Sequence, residues 1–391
     1  MTVPMAASRL RPFAPSSSLA PSSMRYAFAM DTLIGHGAIR RELASLAASD
    51  EPPHAILFAG PEGTGRAALA LEYAKLLNCQ NREQGAGNRE RLLFGDEPML
   101  VAAGSGAIPC GECRACRLIT EGTHPDVIML APGDMLCRPR DGDSHAKHPD
   151  SRDIRICQVR GLIDLAARYP FEAAYRAIII DPADRMNREA SNTLLKTLEE
   201  PPGHTVMLLI SAAPEAIIET VQSRCRRIDV RAVPRLEIEA GLIARGVEPS
   251  IAAQAAEASR GRPGRALAFV ADAGLMGDRG RLLERCARLA AANTSARFTY
   301  AGELTERFRR DRTSVAIEFD TWEAFWEEQL RTTVGDAAAG AGAVAALRAI
   351  MQARADIQAQ VVPRATLELM LLAFPRVTLA EALEEDTAAY A

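Results

Sequence analysis

The chain has 391 residues, which is more than one ordinary core holds and indicates two or three domains. It is 48% hydrophobic and 25% charged with only 5% aromatic residues, a balance typical of globular proteins rich in helix. The formal net charge of −4 argues against a protein that grips nucleic acid by itself, and no apolar run is long enough to span a bilayer.

The first 30 residues are rich in Pro and Ser and lack an apolar stretch of signal-peptide length. They are predicted to be a disordered tail, or an over-long start with Met24 or Met30 as the true first residue. The eight cysteines include a cluster spaced for a metal, which fits a reducing compartment. The sequence therefore predicts a soluble cytoplasmic protein whose organised part begins at Asp31.

Apolar strands alternate with helices over residues 31–230. The predicted strands lie at 54–59, 124–132, within 175–187, at 205–213 and at 223–230. Helical periodicity separates them, and polar insertions are predicted at 80–109 and 133–153. This alternation indicates an α/β fold with a parallel sheet covered on both faces.

Strand signals end at about residue 231. Residues 231–275 have the pattern of a small helical unit, and the chain beyond it is almost wholly helical in pattern. An Ala/Gly-rich stretch at 335–346 is predicted to be a flexible or loosely helical joint.

A glycine-rich turn follows the first predicted strand and precedes a predicted helix. Gly60 and Gly65 give the G-x-x-x-x-G frame of a phosphate-binding loop, with Gly63 between them. A working loop continues with a Lys that reaches the phosphates and a Ser or Thr that ligates Mg²⁺. Arg66 and Ala67 stand at those positions, and an alanine has no oxygen for a metal. The sequence predicts a true but degenerate phosphate loop.

The predicted strand that ends at Asp181 also lacks part of an ATPase motif. In ATPases of this architecture the strand ends in Asp-Glu, one acid for magnesium and the next for activating water. Here Asp181 is followed by Pro182. Lys, Ser/Thr and Glu are therefore all missing, which predicts that this chain does not hydrolyse ATP.

A cysteine cluster indicates a metal site. Cys110, Cys113 and Cys116 have C-x-x-C-x-x-C spacing, and Cys79 ends the preceding predicted helix. Tetrahedral zinc takes four thiolates at about 2.3 Å, so the pattern favours structural zinc if the fold returns the chain to Cys79. A redox-active C-x-x-C pair and an iron–sulfur cluster are the alternatives, because closely spaced cysteines occur in both.

Four segments together resemble the bacterial DNA polymerase III clamp-loader subunits, an AAA+ family. They are HAILFAGPEGTGRAALA, the zinc-spaced cysteines, AIIIDPADRMNREASNTLLKTLEEPP and QSRCRRI. The run from Asn192 to Pro202 is specific by itself. The resemblance covers about residues 31–270, and the C-terminal third matches only in helical character. ATPase members of the family keep both ATP motifs, so this chain is similar to the members that do not hydrolyse ATP.

The resemblance implies a domain plan. It implies an AAA+ base at 31–230 with a zinc module at 79–116, a helical lid at 231–275 and a helical collar at 276–391 that serves oligomerisation.

The resemblance also implies roles for two arginines. Arg224, in the Ser-Arg-Cys segment, would be an arginine finger that reaches the γ-phosphate in a neighbouring ATPase subunit. Arg265 lies where the family's lid carries a second phosphate-sensing arginine, and beside a broken loop it would serve lid packing.

The implied partners are the gamma/tau and delta clamp-loader subunits, the sliding clamp and primed DNA. DNA contact would be nonspecific, through backbone phosphates. The sequence leaves two alternatives open, which are an active gamma-like ATPase and a zinc-stabilised adaptor with no function in the ring.

Overall fold

The computed structural model describes residues 33–81, 108–134, 136–138, 151, 153–310, 312–333, 337–358 and 361–376. The chain forms two compact units that divide between Ala271 and Asp272. The predicted tail at 1–30 and most of the two predicted insertions lie outside the described residues.

Parallel strands form the centre of the first unit. Their bounds are β1 Ala55–Ala59, β2 Val127–Leu130, β3 Arg176–Ile180, β4 Thr205–Ser211 and β5 Arg226–Asp229. Their order across the sheet is β2-β3-β4-β1-β5, and every neighbouring pair is parallel. The predicted α/β fold is thus confirmed. The carboxyl ends of β1, β3 and β4 lie side by side, where the loops that carry the ATP-type motifs emerge.

Helices cover both faces of this sheet because each strand presents apolar side chains in both directions. The helices of the first unit are α1 Gly37–Ala48, α2 Arg66–Asn78, α3 Arg114–Thr120, α4 Ile156–Ala166, α5 Arg188–Glu199, α6 Glu219–Gln222, α7 Arg235–Ile243, α8 Pro249–Ser259 and α9 Pro263–Ala271. In β1, Ile56 and Phe58 pack with α1 and α2, whereas Leu57 belongs to the core formed with α4 and α5. The two-residue alternation of a strand therefore supplies two separate cores.

The second unit is helical in all of its described segments. Its helices are α10 Ala273–Ala291, α11 Thr294–Arg310, α12 Arg312–Thr332, α13 Ala337–Gln358 and α14 Pro363–Leu372. Trp322 and Trp326 are buried and contact the Phe374 ring edge-on, with ring centroids 5.8 and 5.3 Å away. No helix among the described residues is both long enough and apolar enough to cross a membrane.

A buried arginine joins the ends of two helices in this unit. Arg297 is 4% exposed, and its guanidinium donates to the carbonyls of Leu289 at the end of α10 and of Leu371 near the end of α14, at 3.1 and 3.0 Å. The last carbonyls of a helix have no partner within the helix and carry partial negative charge. The cation therefore satisfies both helix ends at once.

A buried ion pair fixes the turn that leads into β3. The Asp126 carboxylate is fully buried and accepts hydrogen bonds from the backbone N–H groups of Phe171, Glu172 and Ala173 at 2.8–3.0 Å, and from Arg176 Nη2 at 2.9 Å. Burial opposes ionisation, but these donors together hold the pKa of the Asp126 carboxyl below its usual range. The start of β2 is thereby tied to the start of β3.

We predict that Asp126→Ala lowers the free energy of unfolding of the first unit by about 3–5 kcal/mol, because it leaves the buried Arg176 charge uncompensated. The matched change Asp50→Ala, at an exposed carboxylate, should leave that energy nearly unchanged. Urea titration followed by circular dichroism measures both. Because the folded pKa of Asp126 is lowered, its contribution is present above about pH 4 and is lost as the pH falls through the folded value. Equal effects of the two variants at neutral pH would contradict this reading.

Candidate functional site

The turn after β1 requires glycine at its first position. The Gly60 N–H donates to the Ser211 carbonyl at the end of β4, at 3.1 Å. A Cβ atom on Gly60 would lie 2.1 Å from the Val230 carbonyl oxygen, which is backbone and has no room to move. Gly63 and Gly65 have φ values of 79° and 102°, which L side chains rarely adopt. The loop therefore keeps the backbone shape that its glycines predict.

Two carbonyls of this loop are bound by other segments of the chain. The Gly264 N–H, at the start of α9, donates to the Gly63 carbonyl at 2.9 Å. The ring of His36, just before α1, donates from Nε2 to the Thr64 carbonyl at 2.6 Å. A carbonyl only accepts hydrogen bonds, so Nε2 carries the proton. Burial lowers the pKa of His36, which favours the neutral ring.

The two residues at the Lys and Ser/Thr positions open helix α2. Arg66 is buried, at 9% exposure, and Ala67 is half-buried. The helix N-terminus follows Gly65 directly, so the loop retains the positive end of a helix dipole. Arg66 retains a charge, but its planar fork differs in shape from a compact ammonium group. The chain thus has a glycine turn at a helix N-terminus, and Ala67 has no oxygen at the position where the motif carries Ser or Thr.

The acidic end of β3 lies in the sheet next to β4. The Asp181 N–H donates to the Leu130 carbonyl at 3.0 Å, and Asp181 is half-buried. Sequence reasoning missed Asp184, in the short 3₁₀ turn that follows. Its carboxylate accepts from Ser211 Oγ at 2.6 Å and from the Ala212 N–H at 3.2 Å, so it ties this turn to the end of β4. No motif marks Asp184 in the sequence.

Arg265, predicted to be a lid arginine, lies near the loop and faces an aromatic ring. Arg265 is in the first turn of α9, and its guanidinium carbon lies 5.6 Å from the centre of the Phe269 ring. A Cβ atom on Gly63 would lie 3.4 Å from Arg262 Cβ and 3.7 Å from the backbone nitrogen of Arg265. The start of α9 therefore lies close to Gly63, whose carbonyl accepts from the Gly264 N–H.

Arg224 lies at the turn between α6 and β5. Its Nη1 donates to the Thr220 carbonyl at 2.7 Å, and its Nη2 donates to Glu199 Oε1 at 2.6 Å. About a third of its side chain is exposed. Among the described residues its guanidinium contacts lie on α5, α6 and the following turn, and none of them is to the glycine loop.

The cysteine cluster lies where the end of α2 meets the start of α3. The sulfurs of Cys79, Cys110, Cys113 and Cys116 lie within 4.8 Å of one another, and all four thiols are free. The fold thus brings Cys79 to the other three across the first insertion. A tetrahedral ion with metal–sulfur bonds of about 2.3 Å separates its sulfurs by about 3.8 Å, and the Cys110 and Cys116 sulfurs are 4.0 Å apart. The arrangement can hold a metal ion.

Backbone N–H groups point at three of these sulfurs. They are the N–H groups of Cys110, Cys113 and Cys116, which donate to the sulfurs of Cys79, Cys110 and Cys113 at 3.3–3.5 Å. Burial opposes ionisation of Cys113, but the N–H groups of Cys116 and Gln80 outweigh it and lower the pKa of that thiol to about 7. Such donors stabilise thiolate, the form that binds metal.

Comparison with known proteins places these motifs in a family context. Residues 97–234 match the family described as DNA polymerase III, delta subunit. The chain is 37% identical over 172 residues to the DNA polymerase III subunit delta' of Pseudomonas aeruginosa, which covers 44% of this chain and 41% of that protein. It is 32% identical over 203 residues to the DNA polymerase III subunit tau of Bacillus subtilis, which covers 52% of this chain and 29% of that protein.

A solved gamma subunit-related protein of Thermotoga maritima aligns over 85% of this chain and 97% of its own length, at 16% identity and a TM-score of 0.37. That overlap is too loose to add to the sequence similarity. The aligned segments span less than half of the length of either curated relative. The chain is therefore related in sequence to the delta-prime and tau/gamma subunits of bacterial DNA polymerase III.

Proposed function

We propose that this chain is a non-hydrolysing, delta-prime-like subunit of the DNA polymerase III clamp loader. In this role it assembles in the cytoplasm with gamma/tau and delta subunits and helps to place the sliding clamp on primed DNA. The observation that carries the proposal is a glycine loop in which Gly63 and Gly65 have positive φ values, while Arg66 and Ala67 stand where a catalytic phosphate loop has Lys and Ser or Thr. The sequence relation to delta-prime and tau subunits supports the same assembly.

The loop is a structural element in this proposal. Ala67 offers no oxygen to Mg²⁺, and Pro182 stands where an activating glutamate is needed. The hydrogen bonds from Gly264 and His36 to loop carbonyls connect the start of α9 and the segment before α1 to the loop through the chain's own groups. A rigid subunit of this kind would act as a stator against which the ATPase subunits move.

Arg224 supplies the chemistry in this proposal. It acts as an arginine finger in trans, stabilising the charge that develops on the γ-phosphate in a neighbouring ATPase subunit. Two observations support this role, namely its partial exposure and its place in a Ser-Arg-Cys segment. Arg265, which stacks on Phe269, takes a packing role in the lid.

The domain plan of the proposal is an AAA+ base at 31–230, a helical lid at 231–275 and a helical collar at 276–391 that joins the ring. DNA is held through its backbone phosphates, in a salt-dependent and nonspecific way.

The cysteine cluster is a structural zinc site in this proposal. Four sulfurs saturate a tetrahedral ion and leave no open position for a substrate, as in structural rather than catalytic zinc sites. The ion would connect the end of α2 to the start of α3 and so close the module at 79–116.

We predict that the isolated chain shows no Mg²⁺-dependent ATP turnover, and that Arg224→Ala lowers the DNA-stimulated ATPase rate of a reconstituted ring by tenfold or more, which is about 1.4 kcal/mol at the barrier. Arg224→Lys should restore little, because lysine lacks the planar fork. The matched control is Arg226→Ala, which removes a nearby half-exposed arginine paired with Glu42.

Three other outcomes would contradict the proposal, and each favours a different alternative. Turnover by the isolated chain would favour a gamma-like ATPase. An unchanged rate in the ring with Arg224→Ala would remove the arginine finger. Failure to assemble with gamma/tau and delta subunits would favour an adaptor outside the ring.

We predict that the purified chain carries about one zinc ion, since four thiolates saturate a single tetrahedral site. Cys113→Ser should lose most of the metal and lower the thermal midpoint, whereas Cys137→Ser, outside the cluster, should retain the metal. Elemental analysis of both variants measures this. Iron with acid-labile sulfide would instead identify an iron–sulfur cluster, and a metal-free disulfide would identify a redox pair.

A further inference from the structure

We propose that Glu199 is a positioning residue for Arg224. The inference rests on the proposed function, in which Arg224 acts on a nucleotide phosphate of a neighbouring subunit. It assigns to the end of the Asn-Thr-Leu-Leu-Lys-Thr-Leu-Glu-Glu run a task beyond the termination of a helix.

The backbone around Arg224 is held in one conformation. The Arg224 N–H donates to the Val221 carbonyl at 3.2 Å, and the next N–H, of Cys225, donates to the Gln222 carbonyl at 3.1 Å. The Cys225 side chain packs against the core that the sheet forms with α4 and α5, and its burial raises the pKa of the thiol to about 12. Cys225 is therefore an anchor, and its inward packing leaves the Arg224 side chain at the surface.

Two helices then fix the guanidinium itself. Thr220, on α6, offers its carbonyl to Nη1, and Glu199, the last residue of α5, offers its carboxylate to Nη2. The α5 and α6 helices pack against each other, so both acceptors belong to the same rigid surface. A guanidinium has five N–H donors, and among the described residues Nε of Arg224 has no acceptor. With the 3.5 Å contact of Nη1 to Ser223 Oγ, the chain engages three of these N–H groups and leaves two, on Nε and Nη2, for a phosphate.

The position of Glu199 is unfavourable without this arginine. A carboxylate in the last turn of a helix meets the negative end of the helix dipole, and Glu200 adds a second negative charge beside it. A neighbouring cation offsets that repulsion. Arg224 thus places a cation at a helix end whose last turn also carries Lys196.

The pair orients Arg224 without trapping it. Glu199 is half-exposed and Arg224 is about one-third exposed, and exposed ion pairs contribute little net free energy. What the pair supplies is restriction of a side chain that otherwise has many rotamers. An arginine held in advance loses less freedom when it meets the transition state, so the benefit falls on kcat and not on ATP binding.

The test is a double-mutant cycle in the reconstituted ring, read out as DNA-stimulated ATPase. We expect Glu199→Ala to lower kcat by roughly three- to tenfold with little change in the KM for ATP, the size expected when arginine rotamer restriction is lost. Glu199→Gln keeps an oxygen acceptor and should recover part of the rate. The matched control, Glu200→Ala, removes the adjacent exposed carboxylate, which does not contact Arg224, and should leave kcat unchanged.

The Arg224→Ala background makes the result specific. There, Glu199→Ala should have no further effect, because a positioning residue acts only through the group that it positions. An equal loss in both backgrounds would mean that Glu199 supports the fold or the assembly instead. An unchanged or raised kcat for Glu199→Ala in the wild-type background would also overturn the proposal, and a raised value would identify Glu199 as a restraint. If Arg224→Ala itself has no effect, it is the proposed function that fails.

Discussion

The close contact between the turn after β1 and the backbone around it is the constraint on which the candidate site depends. Gly60 lies so near the Val230 carbonyl that any side chain would collide with it, and its N–H is bound to the end of β4. The carbonyls of Gly63 and Thr64 accept hydrogen bonds from the start of α9 and from the segment before α1. The backbone of the loop thus connects the sheet, α9 and the segment before α1. The identity of Arg66 and Ala67 does not enter those bonds, so the catalytic pair can be lost while the architecture is kept.

In the proposed function, the chain has lost ATP hydrolysis at its own loop but still supplies Arg224 to a neighbouring subunit. Catalytic groups of a phosphate loop act on a ligand, whereas its glycines act on the protein's own backbone. We propose that a chain without the catalytic groups but with the glycines serves as a rigid body that presents a residue to a neighbouring subunit. In the proposed role that residue is Arg224, which the core anchors through Cys225 and which the end of α5 orients. Arg224 precedes β5 and therefore lies at the amino-terminal edge of the parallel sheet, opposite the carboxyl-terminal edge that carries the glycine loop.

Sequence reasoning succeeded where one local pattern carries the information. Apolar runs alternating with helical patterns located the strands, and C-x-x-C-x-x-C spacing located the cysteine cluster. It missed Asp184, His36 and Glu199, because each acts through a partner distant in the chain and none belongs to a recognisable spacing. The Ala/Gly-rich stretch predicted as a joint continues as helix from Ala337, since Ala343 and Ala346 are buried in the helical core. The burial of small side chains explains why this segment is helical, and composition alone does not indicate which residues are buried.

The sequence by itself determined the α/β class, the residues that stand at the positions of the ATP-type motifs, and the spacing of Cys110, Cys113 and Cys116. These follow from which chemical groups are present and from their local order. The tertiary structure decided that Cys79 joins the other three cysteines, that the loop carbonyls are bound by Gly264 and His36, and that Glu199 faces Arg224. Each of these is a contact between segments that only the folded sheet brings together. Spacing along the chain sets which groups are available, and packing sets the distances at which they interact.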